Sequence, residues 1–295
     1  MEKKYQIFDL KLDKLIEEPI YGEDFLRFCY THPVGKVLTK YVFTKRPINN
    51  LYALYKNSSF SKKQIAKDIE RFNIDMSLFE ENNYLNFKSF FLRKFKKNIR
   101  HFSNNADDFG AFCEGKFLAY EKISNEIKFP VKGTYLSAKE LLQNSKWEHF
   151  FNESTILICR LCPADYHYYH YPDNGSIIES YTIPGVLHSV SQLALSFEPK
   201  VFCLNERKIN ILKSENFGHM AFIEVGAMVV GRICQTHTGE QFKKGDEKGY
   251  FDFGGSTVIV FVEKNKLKLN SKLLENSKMN IETHIELGFT VGNKL

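Results

Sequence analysis

The sequence predicts an α+β fold, a helical N-terminal region set on a β-rich region, and three observations carry that expectation. Apolar residues between about 22 and 100 recur at helical spacing. After about residue 110 the texture changes to short apolar or alternating runs between clusters of Gly, Pro, Asn and Asp. The 295 residues are 43% hydrophobic and 15% aromatic, enough for one large core or two modest ones.

In the first part, Phe25, Leu26, Phe28 and Cys29 mix with polar residues as one helix face, and Val37 to Phe43 and Leu51 to Tyr55 continue the pattern. Ser61 is placed to cap a further helix through Ile65, Ile69 and Phe72. The basic pairs Lys62-Lys63, Arg93-Lys94 and Lys96-Lys97 each fit a solvated helix face. In the second part, strands are expected at Thr155–Cys159, Ser176–Ile178, Lys208–Leu212, Ala221–Ile233 and, most apolar of all, Thr257–Val262. The polar tail after Glu263 is expected to be strand-rich. The chain thus divides into a mainly helical region, 1–100, and a β-rich region, 101–295. It holds no internal repeat, heptad array or low-complexity tract.

Lys and Arg outnumber Asp and Glu by 41 to 35, an excess too small to argue for nucleic acid but compatible with an anionic membrane surface. Cys29, Cys113, Cys159, Cys162, Cys203 and Cys234 are scattered, mostly in apolar runs, as reduced buried cysteines are. The start, Met1-Glu2-Lys3-Lys4, reads as no secretory signal, and no run of about 18 apolar residues predicts a spanning helix. A soluble or peripheral protein is expected.

Gly254-Gly255-Ser256-Thr257 opens the most apolar strand. Its simplest reading is a tight turn entering a buried strand. A sharper one starts from backbone strain, because glycines reach conformations that expose a carbonyl to the next side chain. The Ser256 hydroxyl would attack the Gly255 carbonyl, moving the acyl group from nitrogen to oxygen. Elimination of the resulting ester would break the chain, and hydrolysis of the new N-terminus would leave a pyruvoyl group and ammonia. The reaction needs a base for the hydroxyl and donors for the oxyanion.

Asp165-Tyr166-His167-Tyr168-Tyr169-His170-Tyr171-Pro172 carries two histidines three apart. It reads either as an aromatic turn or, with Cys159 and Cys162, as a zinc-ligand pattern. The latter is weakened by close spacing of the two pairs, and by Cys159 and Cys162 pointing to opposite faces of a strand.

At this point a family resemblance becomes specific. Gly249-Tyr250-Phe251-Asp252-Phe253-Gly254-Gly255-Ser256-Thr257, with Lys244 to Gly249 before it, resembles the processing segment of phosphatidylserine decarboxylases, whose signature is Gly-Ser-Thr. The histidine segment resembles that family's Asp-Tyr-His-Arg-x-His-x-Pro. The resemblance implies His170 as the base of a self-cleavage triad and His167 near the ketone or Schiff base, with Tyr168 replacing the family arginine. The triad carboxylate, carried in the family by Pro-Ala-Asp-Gly, falls on Glu114 of Phe112-Cys113-Glu114-Gly115, by spacing to Ala119-Tyr120-Glu121 and Val131-Lys132-Gly133. Read alone, Glu114 is a solvated turn carboxylate, and Asp107 and Asp108 lie several residues too early. Phe87 to Arg93, Ile183 to Val190, Asn205-Glu206-Arg207 and Glu224 to Ala227 add colinear blocks, so the resemblance runs from about residue 22 to 263.

The resemblance implies a pyruvoyl-decarboxylase catalytic domain and cleavage between Gly255 and Ser256 into a large chain, 1–255, and a small chain, 256–295. It implies a covalent pyruvate cofactor made from Ser256, which forms a Schiff base with phosphatidylserine and releases CO2 and phosphatidylethanolamine. The expected setting is the cytoplasmic face of the cell membrane, bound peripherally, with residues between 37 and 100 docking, a homodimer allowed and no nucleic-acid partner. Two other classes compete. One is a non-processing relative that binds lipid or regulates, favoured by the changes at Glu114 and Tyr168. The other is a zinc-dependent hydrolase on Cys159, Cys162, His167 and His170.

Overall fold

Residues 5–81, 83–122, 137–228, 232–253 and 256–295 are described by a computed structural model of the chain. Gly254 and Gly255, and the Val131 to Gly133 block, lie outside the described residues.

Two strands with every residue buried, Thr155–Leu161 and Ser256–Val262, form the centre. Both are rich in β-branched and aliphatic residues, which suit a strand covered on both faces. Around them a ten-stranded sheet runs in the order Gln241–Phe242, Gly175–Ile183, Arg207–Ser214, His219–Val225, Ser256–Val262, Thr155–Leu161, Gly115–Tyr120, Thr283–Ile285, Gln6–Asp9 and Lys14–Glu17. Among these, Gln6–Asp9 pairs with Thr283–Ile285 in parallel and the other neighbours are antiparallel. A three-stranded sheet, Arg232–Gln235, Glu247–Asp252 and Tyr168–His170, packs on one face, with the Tyr169 ring 6.0 Å from Phe222. A second small sheet joins Leu267–Leu269, Thr290–Lys294 and Asp108–Gly110. Helices and a large mixed sheet in one chain are the α+β class that the sequence texture predicts.

The helical region holds Glu23–Thr31, Pro33–Leu38, a π-helical turn Thr39–Phe43, Arg46–Lys56, Lys63–Arg71 and Phe87–Phe91. The first two approach so closely that a Cβ on Gly35 would overlap the Phe28 carbonyl. Three features differ from the sequence reading. The first two strands of the chain, Gln6–Asp9 and Lys14–Glu17, belong to the large sheet, where pairing with Thr283–Ile285 overrides a weak local pattern. Ser61 does not cap the helix Lys63–Arg71: its hydroxyl donates to Lys56 and Ser58 carbonyls and accepts the Phe87 amide, tying two helices together. The polar tail holds the expected strands, Leu267–Leu269, Thr283–Ile285 and Thr290–Lys294, but adds a helix, Ser271–Lys278, capped by Asn270, which accepts the Lys272 and Leu273 amides.

Candidate active site

Ser256 begins its strand opposite Leu161. Side chains alternate along a strand, so Ser256 shares a face with Val258, and the register extends that face to Cys159 and Glu224. This is the face covered by the small sheet, since Phe222, against which Tyr169 packs, lies on it. The Ser256 residue is 0% exposed, and its hydroxyl has no hydrogen-bond partner among the described residues. A buried hydroxyl left unsatisfied costs free energy and marks a position kept for something other than stability.

The histidine segment presents its two imidazoles to different surroundings. Tyr166, Tyr168 and His170 stack side by side, with ring centroids 5.0 Å and 6.0 Å apart, whereas His167, Tyr169 and Tyr171 are wholly buried. The 166, 168, 170 series and the 167, 169, 171 series occupy opposite faces, as period two requires. His167 therefore faces the same inter-sheet layer as Ser256. Its ring lies 3.7 Å from the Phe91 ring, nearly parallel, and Phe91 in turn touches Phe253, three residues before Ser256. Among the described residues neither His167 nitrogen makes a well-formed hydrogen bond, and burial pushes the imidazole down to about 3 against the opposing pull of the Asp165 carboxylate and the Cys162 backbone. The ring is neutral at pH 7.

His170 is better tethered. Its Nδ1 lies 2.9 Å from the Gly245 carbonyl and its Nε2 3.4 Å from the Tyr166 hydroxyl. A carbonyl only accepts, so Nδ1 carries the proton and Nε2 presents the lone pair. Burial lowers this imidazole too, and the Gly245 carbonyl works the other way. Glu114 is not hydrogen-bonded to either histidine among the described residues. Its two oxygens take the Arg100 guanidinium at 2.5 and 2.8 Å, and one also accepts the Leu287 amide at 3.1 Å. The bidentate geometry makes this a strong pair. The Tyr166 hydroxyl meets His170, and its ionisation is opposed first by burial and then by the negative field of Glu247 and, more weakly, Glu114. Tyr168, at the family arginine's position, donates to the Leu92 carbonyl and carries Lys94 Nζ 4.8 Å over its ring.

The turn before His167 is held by charge. Asp165 accepts from Lys116 Nζ at 2.6 and 2.8 Å and from the Cys162 amide, and although burial disfavours its charge these partners bring it to about 2. Buried Arg93 donates to the Ala164 and Asp165 carbonyls from the other side. Arg160 binds Glu18 and Glu282. Sequence reasoning missed Arg160, Glu18 and Glu282, and it noted Arg100 after the Phe87 to Arg93 block without its pairing to Glu114. The signal was there in part, because Lys116 and Arg160 each interrupt an apolar strand, where an unpaired charge would be prohibitive. The putting together of partners 49, 122 and 142 residues apart was not readable. The zinc pattern does not assemble: Cys162 lies 3.1 Å from Lys116 Nζ, Cys159 pairs with Cys113, and the described residues contain no metal-holding group of three His, Cys, Asp or Glu.

A cavity of about 440 Å³ reaches this region from the helices. Its wall includes the surface residues Phe25 and Ile48 and, deeper, Phe253 and Leu161, the partner of Ser256 across the sheet. Glu18, Arg160 and Gln192 supply polar groups to an otherwise mainly apolar lining. Such a cavity suits an amphiphile with a small polar head.

The phosphatidylserine decarboxylase family model matches residues 87–293. A phosphatidylserine decarboxylase proenzyme of Clostridium botulinum is 41% identical over 280 residues, spanning 94% of this chain and 95% of the relative. Proenzymes of the same name from Clostridium perfringens and Desulfitobacterium hafniense are each 38% identical, over 292 and 288 residues, and span 98% and 97% of this chain and 99% and 97% of their own length. A match of that identity running the length of both partners, over a structure that buries the serine of the Gly-Ser-Thr signature between two sheets, means that the chain belongs to the phosphatidylserine decarboxylase family.

Proposed function

We propose that this chain is a phosphatidylserine decarboxylase that cleaves itself between Gly255 and Ser256 and works through a pyruvoyl group made from Ser256. The observation that carries the reading is the Ser256 hydroxyl, buried and unpartnered among the described residues at the start of the central strand, in a layer it shares with a neutral imidazole. The pyruvoyl ketone supplies an electron sink for the bond that breaks as CO2 leaves. The chain's own residues do the rest. The hydroxyl of Ser256 is the nucleophile of cleavage, and His170 takes the proton once its ring leaves the Gly245 carbonyl and the Tyr166 hydroxyl that hold it, with Glu114 as the supporting carboxylate. His167 handles protons beside the reacting headgroup. The apolar cavity holds the acyl chains and excludes water. Intact mass of the purified protein tests this: chains 1–255 and 256–295, the smaller with a blocked N-terminus, are expected. A single 295-residue species would favour the alternative, a non-processing lipid-binding relative. One observation speaks for that alternative, that Arg100 and Leu287 already occupy the Glu114 carboxylate.

The substrate lies in a bilayer, and among the described residues no helix is long and apolar enough to cross one. We take the chain to dock peripherally on the anionic cytoplasmic face of the cell membrane, and the helices support docking. Val34, Val37, Tyr41, Leu51, Leu54 and Phe60 are each more than half exposed, an unusual run of apolar surface, with Lys36, Lys40, Lys45 and Lys62 among them. This surface begins before residue 37 and is concentrated ahead of residue 61 rather than spread to 100. Each aliphatic side chain fully inserted in lipid contributes about 1.5–3 kcal/mol. Changing Val37, Leu51 and Leu54 together to serine is expected to weaken co-sedimentation with anionic vesicles at least about tenfold. Unchanged binding would remove this face from the docking surface.

A further inference from the structure

Phe253 stands immediately before the two glycines that lead into Ser256, and its backbone lies in the left-handed region, at φ +58°. A phenylalanine there brings its Cβ against the next carbonyl, so the conformation persists only where surrounding structure enforces it. A clamp of rings does so. The buried Phe253 ring lies 5.0 Å from Phe91, 5.4 Å edge-on to Phe87 and 5.8 Å from Tyr52, with Lys56 Nζ 5.5 Å over its face. Two of these groups come from the helix Arg46–Lys56 and two from Phe87–Phe91. The second helix also grips the preceding residue, through Lys88 and Asp252 at 2.9 Å.

Two consecutive glycines restrict a chain very little, so a segment that must present one carbonyl to one hydroxyl needs its direction set from outside. We propose that Phe253 is a positioning residue for self-cleavage: the clamped ring holds the left-handed backbone from which the chain enters the cleavage segment. The inference rests on the reading of Ser256 as the processing nucleophile. In the step it serves, the bond from Ser256 Oγ to the Gly255 carbonyl carbon forms, the bond from that carbon to the Ser256 nitrogen breaks, and the hydroxyl proton ends on the freed amine.

Pulse-chase synthesis in a cell-free extract, resolved on denaturing gels, reads the step directly. Phe253→Gly keeps the left-handed backbone accessible and removes only the ring, and the half-time of the full-length chain is expected to lengthen at least about tenfold. Phe253→Tyr keeps the ring and is expected to cleave within about twofold of the natural chain, a rescue that loss of the backbone conformation alone would not give. Tyr52→Ala opens one wall of the clamp from a half-buried helix position and is expected to slow cleavage about threefold or more, which decides the matter if Phe253→Gly does not stay soluble. Cleavage of Phe253→Gly or Tyr52→Ala at the natural rate overturns the inference while leaving the role of Ser256 standing. A natural chain that never cleaves overturns both.

Discussion

Replacing Ser256 with alanine is expected to yield one 295-residue chain that never divides and has no measurable turnover of phosphatidylserine, a loss of at least about a thousandfold. Nothing nearby substitutes for that oxygen. Thr257 is the adjacent hydroxyl, but it occupies the other face of the same strand, pairing with Arg160 and Val225. The change itself is mild for the fold, because it removes a buried hydroxyl with no partner among the described residues, and relief of that unsatisfied group offsets the small void. An undivided yet folded chain is therefore the expected product, and thermal unfolding at or above the natural midpoint checks it. Ser256→Cys gives a second reading of the same chemistry. A thiol attacks the same carbonyl, but the 0% exposed, apolar position disfavours its thiolate, so slow partial cleavage is expected. Two chains from the alanine variant would mean that another agent cuts the protein and that Ser256 is a structural residue.

The sequence made the centre of this site legible and left its supports hidden. The run Thr257 to Val262 reads as a buried strand because five aliphatic or aromatic residues follow one another, and a fully buried strand does not alternate. Gly-Ser-Thr before it and the two histidines are local patterns, and local patterns survive without a structure. The sides on which His167 and His170 project follow from strand period once the strand is known, but a three-residue strand amid tyrosines gives no periodic signal strong enough to announce itself. The partner of Glu114 is Arg100, 14 residues earlier and outside any regular element, so spacing rules have nothing to act on. The left-handed backbone of Phe253 is invisible for a sharper reason. Phenylalanine is among the residues least expected there, and only rings contributed by two distant helices make it tenable.

The two histidines are expected to fail at different steps. His170→Ala is expected to accumulate the undivided chain, and His167→Ala to cleave but lose turnover by about a hundredfold to ten-thousandfold. The argument rests on what each imidazole is able to do near pH 7. A general base works best with a pKa near the working pH, and burial leaves His167 at about 3, too weak to draw a proton from a serine hydroxyl. That neutral ring remains a hydrogen-bonding partner for an incoming polar headgroup, and an ionised carboxylate or phosphate beside it would raise its proton affinity only when substrate is present. His170 has a fixed tautomer, and although burial lowers it the Gly245 carbonyl and the Glu247 and Asp246 carboxylates work the other way. Serving Ser256 requires its ring to leave the Gly245 carbonyl, at a net cost of about 0.5–1.5 kcal/mol, small beside the barrier to an acyl shift. Because burial, not a charged neighbour, depresses His167 first, turnover of the processed enzyme is expected to show no acid limb near the ordinary histidine value of 6.5 from this residue. The opposite pattern, undivided chain from His167→Ala and normal cleavage from His170→Ala, would assign the base to the imidazole that already shares the layer of Ser256, and would make the His170–Tyr166 pair a support for the turn at Gly245.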